Sequence, residues 1–309
     1  MHSKTYPFTK FAEIPYSKLI LNNSVIAIGE NPHRVQEYYT VLEDIILLNL
    51  DQKKKTLLLL EQPYCLDHLF QDFLKGNFDQ LKKYTIDHPV FHFFYGARQV
   101  EFFNFLSTHA NDQFTCKFIN TSAHYNQNDL INLAKNYNLA KWKQNLEAME
   151  NINIDANLRE SFIFSEAQQA IEEFKPEKII LSLGSMHIRK LGGKPTNEVF
   201  VPSLFNRLIS HYHYDGVSIS LLSLDGKYGS LKRENGSIVC VADPIPTLDE
   251  DMTNFKSCLK NSHQGFKFLL TEFHDTIGTP NFNPDFKEWV SSYDYIISCL
   301  TATADLPTE

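Results

Sequence analysis

The sequence lacks the features that mark several large classes of protein. Its longest apolar runs, such as residues 57–60, are far shorter than the roughly 20 residues needed to span a bilayer. No cluster of lysine and arginine forms a basic stripe, and with a formal net charge of −8 a nucleic acid is not an expected partner. Residues 1–13 contain neither the apolar segment nor the small-residue cleavage site of a signal peptide. No classical secretory signal is therefore expected, and the cytoplasm is the predicted location.

Cysteine is scarce and scattered. The chain has 5 cysteines and no CxxC pair, so neither a zinc ribbon nor a dense disulfide framework is expected. The odd number leaves at least one thiol free, and reduced cysteines packed as small apolar side chains are the simplest interpretation. The GxSxG motif of many serine hydrolases is also absent, so a covalent serine nucleophile is not indicated.

The sequence does contain an alternation of short apolar runs and helical patterns. Residues 24–29, 56–60 and 178–183 are apolar runs that stop at glycine or glutamate, a pattern typical of buried parallel strands. Amphipathic segments with a helical period lie between them. The pattern predicts an α/β fold with one domain over residues 1–309, in which helices flank a mostly parallel central sheet and a helical insertion occupies about 66–107.

Polar side chains follow the predicted strands at the points where they end. In an open parallel sheet the carboxyl ends of the strands meet at one edge, and ligands bind there. Glu30 and His33 follow the first strand, Glu61 ends the second, His124 follows the third and His187 follows the fourth. Two carboxylates and three histidines from distant segments are therefore expected to converge on one active site.

The local sequence predicts that His33 is a base. The pattern places it in the first turn of a helix that Asn31 caps and Pro32 begins. The positive end of the helix dipole would keep this imidazole neutral, and a neutral imidazole accepts a proton near pH 7. Glu37 would lie one turn further along the same helical face and orient the ring.

These residues resemble the opening of the erythromycin esterase family. Its members carry a GExxH motif at the end of a strand, here residues 29–33, and a later strand that closes on a glutamate, here Glu61. The resemblance continues in order through nearly the whole chain. The further matches are Arg98 in the helical insert, the pair Arg159 and Glu160, the step from Gly184 to His187, and the Thr–Ala step at 301–302.

The resemblance implies a hydrolase in which water, activated by a cluster of histidine and glutamate, cleaves an ester or a related acyl bond. His33 would be the general base, with Glu30 and Glu61 positioning the water or the histidine. His187 would stabilise the oxyanion that develops on the substrate.

The resemblance also implies groups that hold the substrate. Arg98 or Arg159 would orient carboxylates or bind substrate directly. Further candidates for substrate contact are Glu37, His92 and His124. The expected substrate is a small molecule or a peptide, and the sequence defines no oligomeric state.

One departure from the esterase pattern leaves other functions open. The esterases usually have a second histidine at the position of Gly184. The resulting GxxH step is similar to that of the TraB/TIKI and ChaN-like proteins, which are related to the esterases. That likeness implies a metal-dependent peptide hydrolase, with a divalent metal held by His33, His187 and Glu61. It equally implies a non-catalytic member of the fold that binds haem or another protein. The expected cofactor is therefore either none or a divalent metal.

Overall fold

The structure, a computed structural model, describes residues 2–15, 17–77, 96–120, 156–190, 201–234, 237–246, 253–257, 259, 267–274, 288 and 291–306. The strands in these ranges are β1 (His2–Phe8), β2 (Val25–Asn31), β3 (Thr56–Pro63), β4 (Phe114–Asn120), β5 (Lys178–Gly184), β6 (Gly216–Ser223), β7 (Lys227–Glu234), β8 (Ser237–Pro244), β9 (Phe268–His274) and β10 (Tyr295–Cys299). The α-helices are α1 (Ser17–Asn22), α2 (Gln36–Asp51), α3 (Asp67–Leu74), α4 (Ala97–His109), α5 (Ala156–Phe174) and α6 (Leu204–Tyr212). A short 3₁₀ helix, Ser185–Ile188, follows β5.

An 8-stranded sheet with the order β1-β9-β10-β6-β2-β5-β3-β4 forms the centre of the molecule. The run from β10 to β4 is parallel throughout, and only the pairings of β9 with β10 and with β1 are antiparallel. Strands β7 and β8 form a separate antiparallel hairpin. The prediction of an α/β fold with a mostly parallel central sheet is confirmed.

The central strands are buried on both faces because their side chains alternate between two layers of helices. On β2 and β3, the side chains of Ile26 and Leu58 pack with α2, α3 and α4, whereas those of Ala27 and Leu59 pack with α5 and α6. Continuous apolar runs are what a strand needs when both of its faces are covered. No helix in the described ranges is both long enough and apolar enough to cross a membrane.

The predicted helical insertion contains α3 and α4, and its residues 78–95 lie outside the described residues. A cluster of aromatic rings fastens the two helices to the edge strand β4. The ring centroid of Phe70 on α3 lies 4.2 Å from that of Phe118 on β4 and 5.2 Å from that of Phe103 on α4. Aromatic pairs at such separations add about 0.5–1.5 kcal/mol beyond the area they bury. This packing holds α4 beside the carboxyl edge of the sheet.

Candidate active site

Four neighbouring parallel strands, β4, β3, β5 and β2, end at the same edge of the sheet. Asn120, Glu61, Gly184 and Glu30 lie at or next to their carboxyl ends. The parallel pairing brings these residues together although more than 150 positions separate the first from the last. Helix α5 adds Arg159 to the same group by a contact with Glu61.

Glu61 is the centre of this group. Its Oε1 atom lies 3.1 Å from Arg159 Nη2, 3.3 Å from Asn120 Nδ2 and 3.2 Å from His187 Nε2. Its Oε2 atom accepts a hydrogen bond from the Gly184 N–H. Burial alone would raise the pKa of Glu61, but the positive charges of His187, His33 and Arg159 hold that pKa well below its usual range. Glu61 is therefore a carboxylate held by several donors.

His187 is buried between two carboxylates. Its Nδ1 atom is bound to Glu160, its Nε2 atom lies against Glu61, and the residue is 5% exposed. Burial would lower its pKa, but the two carboxylates outweigh burial and raise the pKa to about 10. His187 is thus an imidazolium with both N–H groups engaged. The predicted role of stabilising an oxyanion would require one of those N–H groups to leave its carboxylate.

The ion pairs of His187 predict that the protein loses stability at alkaline pH. The folded chain holds this proton up to about pH 10, whereas an unfolded chain releases it near 6.5. The contribution to the free energy of unfolding is therefore complete below pH 6.5 and is lost as the pH rises through 10. Urea unfolding at about pH 6 and about pH 9 measures this loss, which should be smaller in His187→Gln. An equal loss in both proteins would contradict the assignment.

His33 lies at the open side of the group, with its side chain 59% exposed. Its Nδ1–H donates to Glu30 Oε2 over 3.2 Å. Partial desolvation would lower the pKa of His33, but the hydrogen bond to Glu30 and the charges of Glu61 and Glu30 raise it above the ordinary value of 6.5. Because Glu30 binds Nδ1, the other ring nitrogen, Nε2, is left to act as an acceptor.

The expected helix-dipole effect on His33 is wrong. Helix α2 begins at Gln36, so that Pro32 and His33 lie in a loop before it. Arg34 has a φ of 61°, a left-handed conformation that a helix cannot continue. The pKa of His33 is consequently set by Glu30 and Glu61 and is raised, whereas the sequence pattern predicted a dipole that would lower it.

Gly184 lies close to the side chains of His33 and Glu61. A methyl group placed on its Cα would lie 3.3 Å from His33 Nε2 and 3.0 Å from Glu61 Oε2. Any larger side chain at this position, including the histidine of the esterase pattern, would have to displace His33 or Glu61. The imidazole of His33 and the carboxylate of Glu61 therefore face one small space in front of Gly184.

Two of the residues selected from the sequence lie outside this group. The guanidinium of Arg98 forms a two-pronged ion pair with Glu43 on α2, at 2.8 and 2.5 Å. The carboxylate of Glu37 accepts from the N–H and the hydroxyl of Thr303, at 2.8 and 2.9 Å, and so does not orient His33. Both residues fix the packing of α2 against its neighbours.

Other selected residues fall beyond the described part of the chain, and two that are described were overlooked. His92 and His124 lie outside the described residues. Asn120, which is bound to Glu61 and Arg159, and Glu160, which is bound to His187, were not selected as site residues. Asn120 could have been selected because it lies at the end of a predicted strand. Glu160 could have been selected because it is next to Arg159 in the sequence.

The three candidate metal ligands, His33, His187 and Glu61, do not form a metal site. Among the described residues, no group of three or more histidine, cysteine, aspartate or glutamate side chains is arranged to hold an ion. Both ring nitrogens of His187 are occupied by carboxylates, whereas a ligating imidazole needs one nitrogen for the metal. The residues present do not fit the predicted divalent metal.

Two cavities meet at Glu30, His33 and Glu61. The first, the aromatic chamber, has a volume of about 440 Å³. Its walls include Tyr39, Leu60, Gln62, Gln99, Phe102 and Phe103. The second, the ionic chamber, has a volume of about 400 Å³, and its walls include Arg159, Glu160, Gly184, Ser185 and His187. Volumes of this size accommodate a small molecule, and the side chains of Glu30, His33 and Glu61 lie where the two chambers join.

Comparisons with known proteins identify the fold. No protein-family model matches the chain, and no curated protein matches it significantly. The structure is similar to that of a mutant of the erythromycin esterase EreC in its open conformation, with a TM-score of 0.68 and 12% sequence identity over 99% of each chain. It is also similar to a succinoglycan biosynthesis protein, with a TM-score of 0.61 and 11% identity over 99% of this chain and 96% of that one. A protein from Bacillus cereus gives a TM-score of 0.64 and 12% identity over the same shares. The chain has the fold of erythromycin esterase.

Proposed function

We propose that this protein is a hydrolase that cleaves an ester with a water molecule activated by His33. The observation that carries the proposal is the arrangement of the His33 ring. Glu30 binds its Nδ1 atom at 3.2 Å, and its Nε2 atom faces the space in front of Gly184 at the junction of the two chambers. A histidine oriented by a carboxylate, with one nitrogen directed into a cleft, is suited to general-base catalysis.

The proposed reaction forms no covalent bond between the protein and the substrate. His33 Nε2 takes a proton from water, and the hydroxide oxygen bonds to the carbonyl carbon of the ester. Collapse of the tetrahedral intermediate breaks the bond to the alcohol oxygen, which takes the proton from His33. Glu30 and Glu61 stabilise the imidazolium between these two steps.

We assign stabilisation of the oxyanion to Arg159 instead of His187. The guanidinium of Arg159 lines the ionic chamber, and its side chain is 25% exposed. The N–H groups of His187 are both held by carboxylates. In this proposal His187 and Glu160 fix the position of Glu61, which in turn fixes Arg159.

The structural similarity to erythromycin esterase is a similarity of fold, and it supports the proposal that this fold carries a hydrolase here. Erythromycin, the substrate in the name of that protein, is not assigned to this chain, since the sequence identity is 12%.

The test is a screen of the purified protein against 4-nitrophenyl acetate, 4-nitrophenyl butyrate and a dipeptide amide. We expect the esters to be cleaved faster than in buffer, with one oxygen from ¹⁸O-labelled water in the acid product. Dialysis against EDTA should leave this rate unchanged, because the described side chains form no metal site. Cleavage of the peptide alone, restored by a divalent metal after dialysis, would instead support the metal-dependent alternative.

A further inference from the structure

One polar group at the wall of the aromatic chamber has no hydrogen-bond partner among the described residues. The Oε1 atom of Gln62 is buried and has no hydrogen-bond partner in the described structure. The side chain of Gln99, a residue that is 6% exposed, also lines this chamber. A buried amide oxygen without a partner costs about 1–3 kcal/mol, so the state of Gln62 calls for an explanation.

We propose that the aromatic chamber binds an uncharged group that has an apolar face and carries hydroxyl or amide groups. This inference rests on the proposed function, in which that group is the part of the substrate that does not react. The amides of Gln62 and Gln99 then form hydrogen bonds with the ligand.

The backbone directs Gln62 into this chamber and its neighbour Glu61 towards the other. Successive side chains of a strand point to opposite faces. Leu60 on β3 packs in the same layer as α2, α3 and α4, which is the side of the aromatic chamber. Gln62 follows two positions later and lines that chamber, whereas Glu61 contacts Arg159 and His187 of the ionic chamber. One dipeptide therefore supplies both chambers.

The position of Gln99 is set by the end of the chain. The Oδ2 atom of Asp305 accepts from the Gln99 backbone N–H at 3.0 Å, and its Oδ1 atom accepts from the Arg98 N–H at 2.8 Å. These bonds cap the first turn of α4, where backbone N–H groups lack partners within the helix. The backbone bonds to Asp305 consequently hold Gln99 at the chamber wall.

The remaining walls favour a ligand with an apolar face. The ring of Tyr39 lies 5.3 Å from that of Phe102, centroid to centroid, and both rings line the chamber with Leu60. Burial raises the pKa of Tyr39 well above its usual value, so its hydroxyl is neutral. A phenol and two amides beside flat apolar rings offer neutral donors and acceptors to one ligand.

The same groups disfavour a charged ligand. Each amide presents both a donor and an acceptor, as a hydroxyl or an amide of the ligand does, whereas a carboxylate or phosphate only accepts. The charged residues at the chamber wall are the two carboxylates of Glu30 and Glu61 and the one guanidinium of Arg34, so an anion is not favoured there. Transfer of an unpaired charge into such surroundings is costly.

The test is calorimetric titration of His33→Ala, in which hydrolysis is blocked, with phenyl β-glucoside. This probe is neutral and joins an aromatic ring to hydroxyl groups. We expect it to bind at least about tenfold more tightly than phenyl phosphate, which is charged, and than anisole, which has no hydroxyl groups. Addition of Gln62→Leu or Gln99→Leu to this background should weaken binding about 3- to 10-fold, as expected for loss of one neutral hydrogen bond.

Gln113→Leu, at an exposed glutamine outside the chamber, serves as the matched control and should not change binding. Should Gln99→Leu fail to fold, Gln62→Leu still provides the comparison. The inference is overturned if phenyl phosphate binds as tightly as the glucoside, if the glucoside does not bind, or if both leucine variants bind it unchanged. The titration measures binding and needs no turnover. If the glucoside binds but the wild-type protein hydrolyses no ester, the proposed function is wrong and the inference about the aromatic chamber is still supported.

Discussion

Replacement of His33 with alanine is expected to lower kcat/KM for ester hydrolysis by about 10²- to 10⁴-fold, the usual contribution of a general base. The free energy of unfolding should change by less than about 0.5 kcal/mol, because most of this side chain is exposed and packs against little. Steady-state kinetics with 4-nitrophenyl butyrate and urea unfolding of the same preparation measure the two effects.

A matched control for this variant is His211→Ala. His211 is exposed on α6 and lines neither chamber, so its loss should leave kcat/KM at the wild-type value. Equal rates for His33→Ala and the wild-type protein would show that the base is another residue. An unfolded His33→Ala would show that the loop before α2 depends on this ring.

Replacement of Glu61 with glutamine is expected to affect both stability and activity. The side chain of Glu61 is 15% exposed and carries the contacts to Arg159 and His187. Removal of one partner from a buried ion pair leaves the other charge uncompensated and costs about 3–5 kcal/mol. We expect the free energy of unfolding to fall by this amount. We also expect kcat to fall, because Arg159 loses the contact with Glu61 that holds its guanidinium in place.

The control for Glu61→Gln is Glu177→Gln. Glu177 forms a surface ion pair with Lys54, and the side chains are 53% and 46% exposed. Exposed pairs contribute about 0–1 kcal/mol, so this variant should stay close to the wild-type stability. Urea unfolding near pH 7 compares the three proteins. A loss for Glu61→Gln no larger than that for Glu177→Gln would contradict the view that Glu61 holds the site together.

The central strands could be predicted because their pattern is local. A short apolar run stopped by a polar or glycine residue identified β2, β3 and β5 within a few residues of their observed bounds. The antiparallel strands β1 and β9 were missed. Their residues pair with each other across almost the whole chain, and β1 contains Pro7 and little apolar character. Such pairing depends on tertiary contacts that a local pattern does not contain.

The sequence indicated which of the described residues lie near one another, but it did not indicate the contacts between them. Strand ends pointed to Glu30, Glu61 and His187 because parallel pairing alone brings such positions together. The state of His187 could not be predicted, since it depends on how α5 lies over the sheet and presents Glu160 to the ring. The start of α2 was also predicted too early. Arg34 adopts a left-handed conformation that ends any helix before it, and arginine seldom adopts that conformation, so the sequence does not indicate it.

The most direct test of the assignment of His33 as the base is the pH dependence of kcat/KM in the wild-type protein and in Glu30→Gln. Because Glu30 binds the Nδ1–H and raises the pKa of His33, the wild-type rate should rise with pH through an apparent pKa above 6.5. Loss of the carboxylate in Glu30→Gln should move this pKa downwards, so that the rate rises at lower pH. A rising limb that is the same in both proteins, or that persists in His33→Ala, would contradict the assignment.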